Sequence, residues 1–215
     1  MNPFAPAYPH DAAAGLPSAS TQLILGGARS GKSALAERRA LAAEAEGFEV
    51  LYLATAQPLA SAADPEMADR IRRHQQRRPA HWGLIEEPVQ LAATLAAQAA
   101  PQRLILVDCL TLWLSNLLFT GAAGRQAEAG ETIDCPLLSG AVAELCATLP
   151  TLPGRILLVS NEVGWGVVPA NPLARLFADE QGRLNQRVAA VCDKVTLVAA
   201  GLPLELKPAP HSPSD

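Results

Sequence analysis

A chain of 215 residues with 49% hydrophobic and 18% charged residues has enough apolar content to bury one large α/β core, which excludes a globally disordered protein. Its net charge of −4 excludes a broad polyanion-binding face such as a nucleic-acid track, so any phosphate site must be built from local charge. Four widely spaced cysteines (Cys109, Cys135, Cys146, Cys192) form no C-x-x-C pair and have no His cluster beside them, which predicts buried thiols in a reducing compartment rather than zinc or disulfides.

The first twenty residues lack a basic start and an apolar h-region, so they are expected to be a flexible tail and not a signal peptide. No apolar run approaches membrane-spanning length, and a cytoplasmic protein is expected. The chain then gives a buried strand, Thr21–Leu25, followed at once by Gly26-Gly27-Ala28-Arg29-Ser30-Gly31-Lys32-Ser33 and a run of strong helix formers over 34–46. This is a complete phosphate loop between a strand and a helix. Its glycines let successive N–H groups turn inward toward phosphate oxygens, aided by the positive end of the helix dipole. Lys32 is placed to reach the β- and γ-phosphates, and the Ser33 hydroxyl to ligate Mg²⁺. The loop predicts binding of a nucleoside triphosphate.

Further short apolar runs predict strands at 48–54, 103–108, 155–160 and 194–199, with helices near 65–77, 88–100, 111–119, 137–148 and 171–191. Strand–helix alternation predicts an α/β fold with a mostly parallel sheet covered by helices on both faces, and active residues at the carboxyl ends of the strands. The Gly/Ala-rich stretch 120–135 reads as a surface loop. A single domain over 21–206 is expected, followed by a Pro-rich tail over 207–215.

Asp108 closes a strand at the place where a phosphate-loop protein puts the carboxylate that helps hold Mg²⁺; the plain alternative is a cap for the next helix. His74 lies in a segment with five arginines in nine residues, Arg70 to Arg78, before Pro79. It reads either as the apolar-side histidine of a basic solvated helix or as a nucleophile toward phosphorus. In the second reading the arginines receive a triphosphate and depress the imidazole pKa, keeping the attacking nitrogen unprotonated. His81, just after Pro79, reads as structural, with a substrate contact as the alternative. Ser160-Asn161-Glu162-Val163-Gly164 follows a strand and reads as a substrate-contacting loop or a plain turn. Among Arg175, Arg183, Asn185 and Arg187, a phosphate contact competes with ordinary surface ion pairs.

In this order, Gly26–Ser33, Tyr52-Leu-Ala-Thr-Ala56, Arg70-Ile71…His74…Arg78-Pro79-Ala-His-Trp82, Ser160-Asn-Glu-Val-Gly164 and Gly182-Arg-Leu-Asn-Gln186 resemble the bifunctional adenosylcobinamide kinase / adenosylcobinamide-phosphate guanylyltransferase family of cobalamin biosynthesis. The resemblance spans about residues 22–206. It implies a RecA-like phosphate-loop fold, usually a homotrimer, with Mg²⁺ and with ATP, GTP and adenosylcobinamide as substrates. It implies phosphorylation of the corrinoid alcohol, then transfer of GMP through a guanylylated histidine, and it puts that histidine at His74. It further implies nucleotide contacts from Ala54, Thr55, Ala56, Arg77, Arg78, Pro79, Ala80 and Glu86, and a metal-linked carboxylate at Asp108. Relatives often carry Glu at that last position, and Asp108 keeps the charge while shortening the reach by one methylene. Two rivals remain: a single-activity phosphate-loop kinase for a small molecule, and a nucleotide-dependent switch without catalysis.

Overall fold

The computed structural model describes residues 19–56, 78–120, 126 and 135–208, excepting the side chains of 119 and 120. His74, Arg77, the expected helix 65–77 and most of the 120–135 stretch lie outside the described residues. The elements in chain order are β1 (Ser20–Gly26), α1 (Lys32–Ala45), β2 (Glu49–Ala54), β3 (Gly83–Glu86), α2 (Leu91–Gln98), β4 (Arg103–Asp108), α3 (Leu110–Thr120) and α4 (Pro136–Thr148). After a short 3₁₀ turn at Leu149–Thr151 come β5 (Arg155–Asn161), α5 (Pro172–Val191), β6 (Lys194–Ala199) and β7 (Leu202–Lys207).

The strands form one sheet in the order β3-β2-β4-β5-β1-β6-β7. All neighbours run parallel except β6 and β7, which are antiparallel. Successive residues alternate between two cores. Leu23, Leu51, Leu53, Ile105, Val107, Ile156 and Leu158 pack on the face covered by α2, α3, α4 and α5. Ile24, Val50, Tyr52, Leu104, Leu106, Leu157 and Val159 pack on the opposite face, against α1. Strands covered on both faces need apolar residues at every position, which is why they read as continuous runs. Burying each such side chain contributes about 1.5–3 kcal/mol, so the sheet centre is the most strongly held part of the domain. The expected α/β architecture, a mostly parallel sheet covered by helices on both faces, is present, with β5 inserted between the phosphate-loop strand β1 and the Asp108 strand β4.

Two strands exceed the sequence expectation. β3 is only four residues long and lies at a sheet edge, with Leu84 exposed, so it lacks the apolar signature of a buried strand. β7 returns through a tight turn at Ala200 and Gly201, whose φ angles are +52° and +82°. Positive φ at both central residues suits a two-residue hairpin. As an edge strand β7 accommodates Pro203. The residue Lys207 belongs to β7, and its ammonium donates to the carbonyls of Ala189 and Ala190 near the end of α5, the usual place for a cation at a helix C-terminus.

The four cysteines are free thiols, with Cys109 and Cys192 buried. Burial pushes the Cys109 thiol up to about 11 and the Cys192 thiol up to about 12. Both are therefore protonated and unreactive at neutral pH. Among the described residues no helix is long and apolar enough to cross a membrane.

Candidate active site

The loop after β1 is shaped by its glycines and braced by the β6–β7 turn. A Cβ on Gly26 would meet the Ser30 hydroxyl at 2.4 Å and the Val198 carbonyl at 2.6 Å, so only glycine fits there. Gly31, at φ +100°, sits at the N-cap of α1, and a Cβ on it would press against Gly201 at 3.2 Å. The Gly201 N–H donates to the Ser30 carbonyl at 2.8 Å, tying the hairpin turn to the loop. Lys32 is 8% exposed and donates to the Gly27 carbonyl at 3.1 Å, so its ammonium curls back over the loop. The Ser30 hydroxyl is buried and has no hydrogen-bond partner among the described residues.

Asp108, at the end of β4, lies two strands from β1, about 10 Å across the sheet. It accepts a 2.7 Å hydrogen bond from the Tyr52 hydroxyl. Burial, and secondarily the Asp108 carboxylate, push the Tyr52 phenol far above its ordinary range, so it remains a proton donor. Thr55 is fully buried and grips the next residue from both sides: it accepts from the Cys109 N–H at 2.9 Å and donates to the Cys109 carbonyl at 2.7 Å. Its N–H donates to the Asp108 carbonyl, and its own carbonyl accepts from Asn116. Thr55 is therefore spent on fixing the β4 end against β2, while Ala54 and Ala56 continue past it.

Arg78 lies over the Tyr52 ring, with 5.2 Å from its guanidinium carbon to the ring centroid. One aromatic side chain thus touches both the expected metal carboxylate and the arginine four residues after His74. Pro79 and Ala80 lead from it into a turn closed by the Trp82 N–H on the Pro79 carbonyl. Trp82 is buried and its indole N–H donates to Glu44 of α1, which also pairs with His81 at 2.7 Å. His81 is thereby a structural anchor, as expected. Of two neighbouring carboxylates, Glu86 is exposed at the end of β3, while Glu87 accepts the Val89 and Gln90 N–H groups before α2. Only Glu86 faces solvent at the sheet edge.

At the end of β5, the Glu162 N–H donates to the Gly26 carbonyl at 3.1 Å, and Asn161 is held through the Thr111 hydroxyl. Behind them α5, started by an Asn171 cap with Pro172 at its first turn, presents an unexpected buried polar group. Asn185 is not a surface phosphate contact. Its Oδ1 accepts from the Ser160 hydroxyl at 2.7 Å and from Gln181 at 2.9 Å, and its Nδ2 donates to Glu162 Oε1 at 2.9 Å and to the Asn161 carbonyl at 3.0 Å. Gln181 and Ser160 are fully buried. Gln181 Oε1 has no partner among the described residues, a cost of about 1–3 kcal/mol. Arg183 pairs with Glu180, and Arg175 donates to Pro169 and Ala170 carbonyls, so both serve the helix surface.

The family described as "Cobinamide kinase / cobinamide phosphate guanyltransferase" matches residues 22–206. That match covers the loop, the Asp108 edge and the α5 network. The chain belongs to the cobinamide kinase / cobinamide phosphate guanyltransferase family. It is 53% identical over 188 residues to the "Bifunctional adenosylcobalamin biosynthesis protein CobP" of Pseudomonas aeruginosa, covering 87% of this chain and 98% of that one. It is 43% identical to the Salmonella typhimurium protein named CobU (86% and 98% covered) and 38% identical to the Escherichia coli CobU (86% and 98% covered). A solved structure of an ATPase domain has a TM-score of 0.46 and 12% identity, covering 84% of this chain and 69% of its own.

Within the cobinamide kinase / guanyltransferase family frame, sequence reasoning assigned no separate role to Tyr52 and missed the inward direction of Asn185. A tyrosine in an apolar strand reads as core. Gln181 and Asn185, however, share a helix face with Leu184 and Val188, which are buried. A polar pair four residues apart on an apolar face was the available signal.

Proposed function

We infer that the chain catalyses the two reactions after which its family is named, in succession on one corrinoid. ATP or GTP first phosphorylates the alcohol of adenosylcobinamide; GMP from GTP then passes through guanylyl-His74 to that phosphate, giving adenosylcobinamide-GDP and pyrophosphate. The observation that carries the reading is the phosphate loop on β1–α1, with the Asp108 edge one inserted strand away, inside a family match of nearly the whole chain.

In the phosphoryl step the loop N–H groups and Lys32 neutralise charge that develops on the transferred group. The buried Ser30 hydroxyl lies within the loop without a partner among the described residues, and an added Cβ at Gly27 would meet nothing within 4 Å, which leaves room for a phosphate beside the loop. Ser33 and Asp108 supply hard oxygen donors for Mg²⁺. Held by Ser33 and Asp108, such a cation would supply positive charge to offset that of the triphosphate. Ala54, Ala56, Arg78, Pro79, Ala80 and Glu86 lie on the β2–β3 side, and we assign the nucleotide of the second step to them together with His74 and Arg77 of the preceding segment. The family's homotrimer and a cytoplasmic location complete the proposal, with no nucleic-acid partner.

The test is a product assay. Adenosylcobinamide with ATP alone should give the monophosphate, and with GTP the GDP derivative, each identified by mass. A single-activity kinase would stop at the phosphate; a nucleotide switch would leave the corrinoid unchanged.

Tyr52→Phe isolates the Asp108 contact. A hydrogen bond to a carboxylate contributes about 1.5–3 kcal/mol, so the variant should lose roughly 10-fold or more in corrinoid phosphorylation. Nucleotide affinity measured with and without Mg²⁺ should show the loss mainly in the Mg²⁺-dependent part. An unchanged Mg²⁺ dependence would deny Tyr52 this role.

A further inference from the structure

The carboxylate of Glu162 is held more elaborately than a turn requires. Its backbone N–H is bonded to the Gly26 carbonyl at the first glycine of the loop, and its Oε1 accepts from Asn185 Nδ2 at 2.9 Å. The direction of the Asn185 amide is dictated from behind. Ser160 Oγ and Gln181 Nε2 both donate to Asn185 Oδ1, so the NH₂ group must point toward Glu162 and the Asn161 carbonyl. Gln181 Nε2 also donates to Ser160 Oγ at 3.0 Å, closing a buried ring of three side chains. An apolar residue at 181 would spare α5 its unpartnered carbonyl. Stability alone does not account for the arrangement. Orientation of Glu162 does.

The strand-end carboxylate of β4, Asp108, is engaged by Tyr52 and lies beyond β5 from the loop strand. Glu162 is the carboxylate-bearing residue whose backbone N–H is bonded directly to the loop's own strand. Beyond it, the chain continues through Val163–Val168, where Trp165 is 70% and Val167 95% exposed. An exposed apolar approach suits a corrinoid alcohol better than it suits a triphosphate.

We propose that Glu162 is the catalytic base of the phosphoryl-transfer step and that Asn185, locked by Ser160 and Gln181, positions it. This rests on the kinase half of the proposed function. In the step, the acceptor oxygen forms its bond to the γ-phosphorus and the bond from that phosphorus to the β,γ-bridging oxygen breaks. The electron pair leaves with the nucleoside diphosphate, and the acceptor proton passes to the Glu162 carboxylate and from there to water. A base matters here because the nucleophile is a neutral alcohol. In the guanylyl transfer the acceptor is already a phosphate anion and needs no proton removed, so Glu162 has no part in it.

The experiment compares the parent protein, Glu162→Gln, Asn185→Ala and the double variant in two assays. The first is steady-state phosphorylation of adenosylcobinamide by ATP, and the second is formation of the covalent GMP adduct from GTP. Glu162→Gln should lose about 100-fold in kcat, with the nucleotide KM within about twofold. Asn185→Ala should lose about 10-fold, and adding it to Glu162→Gln should cost less than about twofold more, because it acts through that carboxylate. Adduct formation should stay near the parent level in all three, which also shows that they are folded. Glu162→Gln turning over at the parental rate, independent losses in the double variant, or parallel loss of the adduct would each overturn the role. Parent protein that phosphorylates no corrinoid would instead remove the kinase reading itself.

Discussion

Replacing His74 by Ala should lower guanylyl transfer at least about 10⁴-fold while corrinoid phosphorylation stays within about threefold of the parent rate. The split follows from what each reaction asks of the chain. Attack at the α-phosphorus through a covalent intermediate needs a nucleophile that releases its group again, and a histidine–phosphorus bond is labile enough to do so. In the proposed mechanism the five arginines between Arg70 and Arg78 would supply charge for the triphosphate and favour the neutral imidazole. Phosphorylation uses the loop at β1–α1, which His74 does not belong to. The check is a pair of rates on one preparation: phosphate appearing on the corrinoid with ATP, and GMP appearing on the corrinoid phosphate with GTP. A joint collapse of both would mean that His74 supports the fold and not the chemistry.

Lys32→Ala should lower corrinoid phosphorylation about 10³-fold, the scale seen when a preorganised charge stabiliser is removed. Lys32 is 8% exposed and held to the Gly27 carbonyl, so its ammonium is fixed in place before substrate arrives. Its side chain belongs to neither apolar core of the sheet. The fold should therefore survive truncation, with thermal denaturation showing a modest change beside the large kinetic one. A variant that phosphorylates the corrinoid at the parental rate would refute the catalytic role of the loop. Comparing it with Tyr52→Phe separates two proposed supports of the triphosphate: Lys32 would act through its own charge, and the Tyr52 hydroxyl through the orientation of Asp108.

Much of this was legible in the chain because local pattern and tertiary role coincide. β1, β2, β4, β5 and β6 carry mainly apolar runs at their centres since both sheet faces are covered, and the loop's residues are local in sequence. β3 and β7 were not legible. Their pairing comes from neighbours, through Leu84 beside Tyr52 and through the Ala200-Gly201 turn, and their side chains largely face outward. Asp108 was legible as a strand-end carboxylate. Its partner Tyr52 is not, because the contact exists only once β2 and β4 pair in register, 56 residues apart in the chain. The same holds for Asn185, whose polar label suggested a helix surface. Its position on the face shared with Leu184 and Val188 sends it inward to Glu162, 23 residues away.

The central claim is that one chain handles two different phosphorus atoms of a nucleoside triphosphate, the γ at the loop and the α at His74. The direct measurement is parallel incubation with adenosylcobinamide and GTP labelled either at the α- or at the γ-phosphate, with the protein and the corrinoid separated after quenching. The account predicts that α-label appears first on the protein, as an acid-labile and alkali-stable adduct on His74, and then moves to the corrinoid, while γ-label reaches the corrinoid without residing on the protein. No α-label on the protein, or α-label that persists in His74→Ala, would contradict it.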